Sequence, residues 1–126
     1  MKEDNAILQK SKAFAIRIVR FYQFLKEKER FFPLATQILR SGTSIGANVR
    51  EARRAQSSKD FLSKLYIALK ESDETAYWLE LMNETGYIDG NEFESLYNDC
   101  EELIKMLTAI IRTCKANENP SENQPE

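Results

Sequence analysis

Between Arg40 and Ala55 the sequence RSGTSIGANVREARRA places three chemistries on three sides of one helix. At 100° per residue, Ile38, Gly42, Ile45, Val49 and Ala52 recur in steps of four and three and form an apolar stripe. Beside it, Gln37, Ser41, Ser44, Asn48 and Glu51 follow the same stepping as a row of hydrogen-bonding groups. Arg40, Arg50 and Arg54 lie opposite the apolar stripe, with Arg53 flanking them. Guanidinium groups suit phosphate, because their planar fork donates in pairs. A surface helix needs only an apolar side and a solvated side. The extra polar row therefore marks a further contact, with another helix of the same bundle, a second subunit or a ligand.

Elsewhere the chemistry thins out. Glu71, Asp73 and Glu74 form one acidic cluster and Glu101 and Glu102 another. Carboxylates can hold Mg²⁺ for phosphoryl chemistry, but adjacent residues on a helix point apart, so solvated acidic faces account for both. Histidine is absent, which removes Ser-His and Cys-His nucleophile pairs and the Glu-x-x-His motif of di-iron bundles. Cys100 and Cys114 stand roughly 21 Å apart along one helix at 1.5 Å per residue, too far to bridge. They read as buried thiols on a core face. No catalytic residue, metal site or cofactor is expected. Of Trp78 and Tyr77, one should edge the core and the other is available to an interface.

Four helices must position these groups. The first runs from about Asp4 to Arg30, with Ile7, Phe14, Ile18, Phe21 and Leu25 as its apolar line and Phe32-Pro33 as its end. Pro33 opens the second, which extends to about Ala55; a break at Ser41-Gly42 is the alternative, since Gly42 and Gly46 each cost roughly 1 kcal/mol inside a helix. Ser57 or Ser58 caps the third, which carries Leu62, Leu65, Leu69, Ser72, Ala76 and Leu79, with Phe61, Ala68, Thr75 and Met82 at the edge, and ends near Glu84 before Gly86. Asp89 or Asn91 caps the fourth, whose face runs from Phe93 through Leu96, Cys100, Leu103 and Leu107 to Cys114. The expected fold is all-α, an antiparallel up-down-up-down four-helix bundle over residues 1–115, with a disordered acidic tail over 116–126.

A chain of 126 residues, 42% hydrophobic and 30% charged, fits one globular domain. Its four Gly and three Pro are too few for a sandwich or barrel rich in turns. No apolar run approaches the ~20 residues of a membrane span, and MKEDNAILQKSK lacks the apolar region of a secretory signal. A cytoplasmic protein without membrane contact is the expectation. The net charge of −2 hides an asymmetry. Residues 1–56 hold twelve Lys and Arg against five Asp and Glu, whereas residues 57–126 hold six against fifteen. Such asymmetry marks either a nucleic-acid-facing half or charge-complementary contact between halves.

RSGTSIGANVREA followed by SKDFLSKLYIALKESDETAYWLELM resembles the signature region of the bacterial 23S rRNA intervening-sequence proteins, also called the S23 ribosomal protein family. The likeness runs from about residue 10 to residue 112 and is densest over 38–82. It implies a four-helix bundle that assembles as a ring, with pentamers as the expected form, and it brings no enzymatic activity. A related branch includes the accessory protein of diversity-generating retroelements, a basic pentameric barrel that binds nucleic acid. This chain departs from that branch with a pI near 5.4, so binding would need its basic residues to converge.

Two functions fit these residues. The first is a non-enzymatic interaction module that forms a homo-oligomer and presents a surface to RNA or a protein partner. In it the polar row serves subunit or interhelical contacts, and Glu51 pairs with an Arg such as Arg40 of a neighbour. The second is an RNA-binding accessory protein using Arg40, Arg50, Arg53 and Arg54, aided by Lys10, Lys12, Arg17 and Arg20.

Overall fold

Helix termini here follow local hydrogen-bonding chemistry. In the computed structural model, which describes residues 2–29 and 33–118, four helices account for most of the described residues. They are α1 (Lys2–Glu27), α2 (Pro33–Arg53), α3 (Ser58–Glu84) and α4 (Gly90–Glu118). Ser57 caps α3, its hydroxyl accepting from the Asp60 amide at 3.0 Å, and Asp60 adds a carboxylate in the first turn. Asp89 does the same for α4, accepting from the Glu92 amide at 2.8 Å. Thr85 closes α3, and Gly86 follows in the left-handed region at φ 81°.

Three boundaries differ from the sequence expectation. α1 stops at Glu27, short of Phe32-Pro33, because Glu29 turns the chain through φ 56° after the Lys28 amide has bonded back to the Phe24 carbonyl. α2 stops at Arg53, with Arg54 in a turn. The alternative break at Ser41-Gly42 does not occur, and α2 runs through both glycines. α4 continues to Glu118, three residues into the segment expected to be disordered. The rest of that tail, 119–126, lies outside the described residues.

Consecutive helices pack side by side, α1 on α2, α2 on α3 and α3 on α4, and α4 returns to α1 along the thinnest seam. The result is an antiparallel four-helix bundle. Every member of the first two apolar lines is buried. In α3, Leu65, Ser72, Ala76 and Leu79 of the expected line are buried together with Ala68, Thr75 and Met82 from its edge, whereas Leu62 and Leu69 are half-buried. Ile111 joins Leu103, Leu107 and Ile110 inside α4.

Gly42 and Gly46 set the α1–α2 distance. A Cβ at Gly42 would lie 2.8 Å from Cγ1 of Ile18, and one at Gly46 would lie 3.2 Å from the Ser11 carbonyl oxygen. Only a residue without a side chain lets the backbones come this close. Among the described residues, no helix is long and apolar enough to cross a membrane.

Candidate interaction surfaces

The polar row of α2 divides by depth. Ser41 is fully buried, Ser44 and Asn48 are half-buried, and Gln37 and Glu51 are exposed. The Ser41 hydroxyl meets Thr75 Oγ1 of α3 at 2.8 Å. Thr75 Oγ1 also lies 2.8 Å from the Glu71 carbonyl. One hydroxyl proton cannot serve both bonds, so with the carbonyl as its acceptor Thr75 accepts the Ser41 proton. Asn48 donates to the Ser44 carbonyl in its own helix at 2.9 Å, and Glu51 meets Lys64 of α3 at 3.3 Å. At Ser41 and Glu51, the row thus faces a neighbouring helix of the same chain.

Buried hydroxyls recur through the core and are all satisfied. Ser11 donates to the Leu8 carbonyl and Ser72 to the Ala68 carbonyl, and the Cys100 thiol reaches the Ser72 carbonyl at 3.2 Å. Ser11 is absent from the sequence reading. Its place seven residues before Ile18, on the same line, was the signal available. Burial pushes the Cys100 thiol up to about 12, with the charges of Glu101 and Asp73 adding to the effect. Such a thiol stays protonated and unreactive.

The cations singled out in the sequence fall into two groups. Three are engaged inside the chain. Arg40 lies between Glu71 and Glu74 of α3, and Glu74 also accepts from the Trp78 indole at 3.0 Å. Burial alone would lower the Arg40 guanidinium, but hydrogen bonding to Glu74 and the charges of both carboxylates outweigh it and raise it. Lys10 meets Glu102 at 2.8 Å and Arg17 meets Asp99 at 2.6 Å, both across the α1–α4 seam. The other five, Lys12, Arg20, Arg50, Arg53 and Arg54, are exposed and make no ion pair among the described residues.

The carboxylates are used structurally as well. Glu71 and Glu74 turn toward Arg40, while Glu80 accepts from the Tyr97 hydroxyl at 2.8 Å. That bond, with burial and the Glu80 charge, pushes Tyr97 up to about 12. Among the described residues, no three carboxylates or thiols come together as a metal-binding group.

Large apolar side chains left in solvent are concentrated on two helices. α1 exposes Ile16, Val19 and Phe24 and α3 exposes Tyr66, Ile67 and Tyr77, each 39–54% accessible. None of these except Tyr77 stands out in the sequence reading, since a single apolar residue off the core line looks ordinary. The recesses beside them are open and shallow: Ala15, Ile16 and Val19 line one with Lys12 and Arg20, and Tyr66 and Ile67 line another with Lys70 and Asp73. A smaller recess of about 100 Å³ lies among Ile7, Val49, Ala52 and Leu65, with Arg53 in its wall.

Fold and surface together define an all-α bundle whose notable features are faces rather than a cleft. The profile of the 23S rRNA-intervening sequence protein family matches residues 3–109, and the chain belongs to that family. It is also similar to a protein of unknown function from the S23 ribosomal protein family of Bacteroides thetaiotaomicron VPI-5482, known from a crystal structure. The two share 54% identity and superpose with a TM-score of 0.85, over 87% of this chain and 98% of the other. No curated protein matches.

Proposed function

We propose that this protein is a non-catalytic interaction module that assembles with copies of itself, with a pentamer as the form the family resemblance implies. The carrying observation is the concentration of exposed apolar side chains, Ile16 and Val19 on α1 and Tyr66, Ile67 and Tyr77 on α3. Singly exposed apolar residues are ordinary on a monomer, but strips of them rimmed by polar groups mark contact surfaces. The reading of the polar row as subunit contacts is narrowed to Gln37, Ser44 and Asn48, because Ser41 and Glu51 have partners in α3. The non-catalytic part draws support from the engaged carboxylates and the protonated Cys100 thiol.

A second reading, RNA association, draws on Lys12, Arg20, Arg50, Arg53 and Arg54, five exposed cations without an ion pair among the described residues. All lie on α1, α2 or the turn after it, and assembly would multiply them around a common axis. Such contacts would be to the phosphate backbone, with weak sequence preference.

Light-scattering mass after size exclusion tests both readings when repeated with a structured RNA at low and at physiological salt. A mass near five subunits supports assembly, and a monomer at micromolar concentration overturns it. Co-elution with RNA that weakens steeply as salt rises supports the second reading, and an oligomer indifferent to RNA removes it.

A further inference from the structure

We infer that the recess where α2 ends and α3 begins binds a small aliphatic carboxylate, its hydrocarbon end in the apolar pit and its carboxylate on Arg53. This goes beyond the assembly and RNA readings and depends on neither. The pit exists because the apolar stripe of α2 stops before the core does. Val49 and Ala52 are the last members of that stripe, and its next step falls at Gln56. By then the helix is over: the Arg54 and Ala55 amides bond back to the Glu51 and Ala52 carbonyls, and Ser57 already caps α3. With α2 finished at Arg53, Ile7 of α1 and Phe61 and Leu65 of α3 stand with Val49 and Ala52 around a gap of about 100 Å³.

Size and polarity select the hydrocarbon part of the occupant. Six of the seven residues lining the pit are apolar, and Ile7, Val49, Ala52 and Leu65 are all buried. An ordered water needs about two to four polar partners, which such walls do not offer. A cavity of about 150 Å³ lined by Leu, Ile and Phe holds benzene. In proportion, this smaller pit suits a branched aliphatic group of about four carbons.

Arg53 selects the charged part. It stands in the wall of the pit, exposed, and its side chain makes no hydrogen bond or ion pair among the described residues. The carboxylates nearest in sequence are engaged elsewhere, Glu51 with Lys64 at 3.3 Å and Asp60 with the Gln56 amide at 3.4 Å. Arg40 shows the contrast, since it takes both Glu71 and Glu74 where carboxylates are at hand. Arg50 and Arg54 add to a cationic end that no internal carboxylate neutralises among the described residues. A cation at a helix C-terminus complements the dipole, but that role needs no apolar pit beside it. A guanidinium fork donates to both oxygens of a carboxylate. A bare anion would leave the pit empty, and an alkane would leave Arg53 unused.

Methyl NMR of the full chain, labelled at Ile, Leu and Val, tests the site with 3-methylbutanoate as the probe. The methyl resonances of Ile7, Val49 and Leu65 should shift and saturate. Acetate keeps the charge and 3-methylbutan-1-ol keeps the hydrocarbon, and each should bind about tenfold more weakly. In Arg53→Gln the advantage of the acid over the alcohol should vanish, which a merely structural role of Arg53 would not produce. Ala52→Leu should fill the pit and abolish binding. If that variant fails to fold by circular dichroism, the Arg53→Gln comparison decides alone. Absence of a saturable shift at those three residues overturns the site. So does an alcohol that binds as tightly as the acid, or an acetate that does. A short peptide with a free C-terminal leucine that binds more tightly than 3-methylbutanoate assigns the pit to protein C-termini and overturns the small-carboxylate reading.

Discussion

At the residue scale, the Ser41–Thr75 pair is a buried hydrogen bond between side chains of α2 and α3. Its energetics follow from what each deletion leaves behind. Thr75→Val leaves the Ser41 hydroxyl buried without its partner, at a cost of about 1–3 kcal/mol. Ser41→Ala leaves Thr75 with its bond to the Glu71 carbonyl and costs about 1 kcal/mol or less. Removing both leaves no orphan, so the double variant should lose less than the two single losses together. Urea denaturation of the four proteins measures the coupling, and strict additivity would show that the hydroxyls do not depend on each other. The sequence signalled that Ser41 makes a contact. It did not indicate whether a neighbouring helix or a neighbouring subunit supplies the partner, because helical stepping gives a direction and not a distance.

At the scale of elements, the α1–α2 seam depends on residues that have no side chain. Gly42→Ala gains helix propensity worth about 1 kcal/mol, but its Cβ would press on Cγ1 and Cγ2 of Ile18, a buried β-branched residue in a close-packed seam. Overpacking of this kind costs about 1–3 kcal/mol. The variant should unfold at lower temperature than the wild type, and a raised midpoint would mean that α1 slides to accommodate the methyl. The apolar stepping that identified all four helices was plain in the sequence, because one buried face repeats over five or more turns. Helix ends were less legible. Glu29, with no glycine to advertise the turn, adopts φ 56° and stops α1 well before Phe32-Pro33. The exposed strips on α1 and α3 were the least visible, since their meaning depends on which corners of the bundle the two helices occupy.

At the scale of the whole molecule, two buried or half-buried protons tie stability to alkaline pH. The Cys100 thiol and Tyr97 hydroxyl both ionise near 12 in the folded protein, above their ordinary values of 9.0 and 10.0. The folded chain therefore keeps protons that the unfolded chain releases first, so stability falls as pH rises from 9 toward 12 and is fully retained below 9. Denaturation midpoints between pH 8 and 11 should decline, and Cys100→Ala/Tyr97→Phe should flatten the decline. An equally steep decline in the double variant would place its origin in other groups.

The thin α1–α4 seam bears on how the chain reaches this state. Three of the four seams join helices that follow one another in sequence, so their contacts form by closing short loops. α1 and α4 alone, among the described helices, must meet across the length of the chain. Two surface ion pairs, Lys10 with Glu102 and Arg17 with Asp99, line this seam above the shared apolar core. The entropy of joining the two ends is thus spent last and against a modest return. Folding should proceed by successive helical hairpins on the microsecond-to-millisecond scale on the order of that seen in bundles rich in local contacts, and the first thermal fluctuation to open the bundle is a parting of its first and last helices.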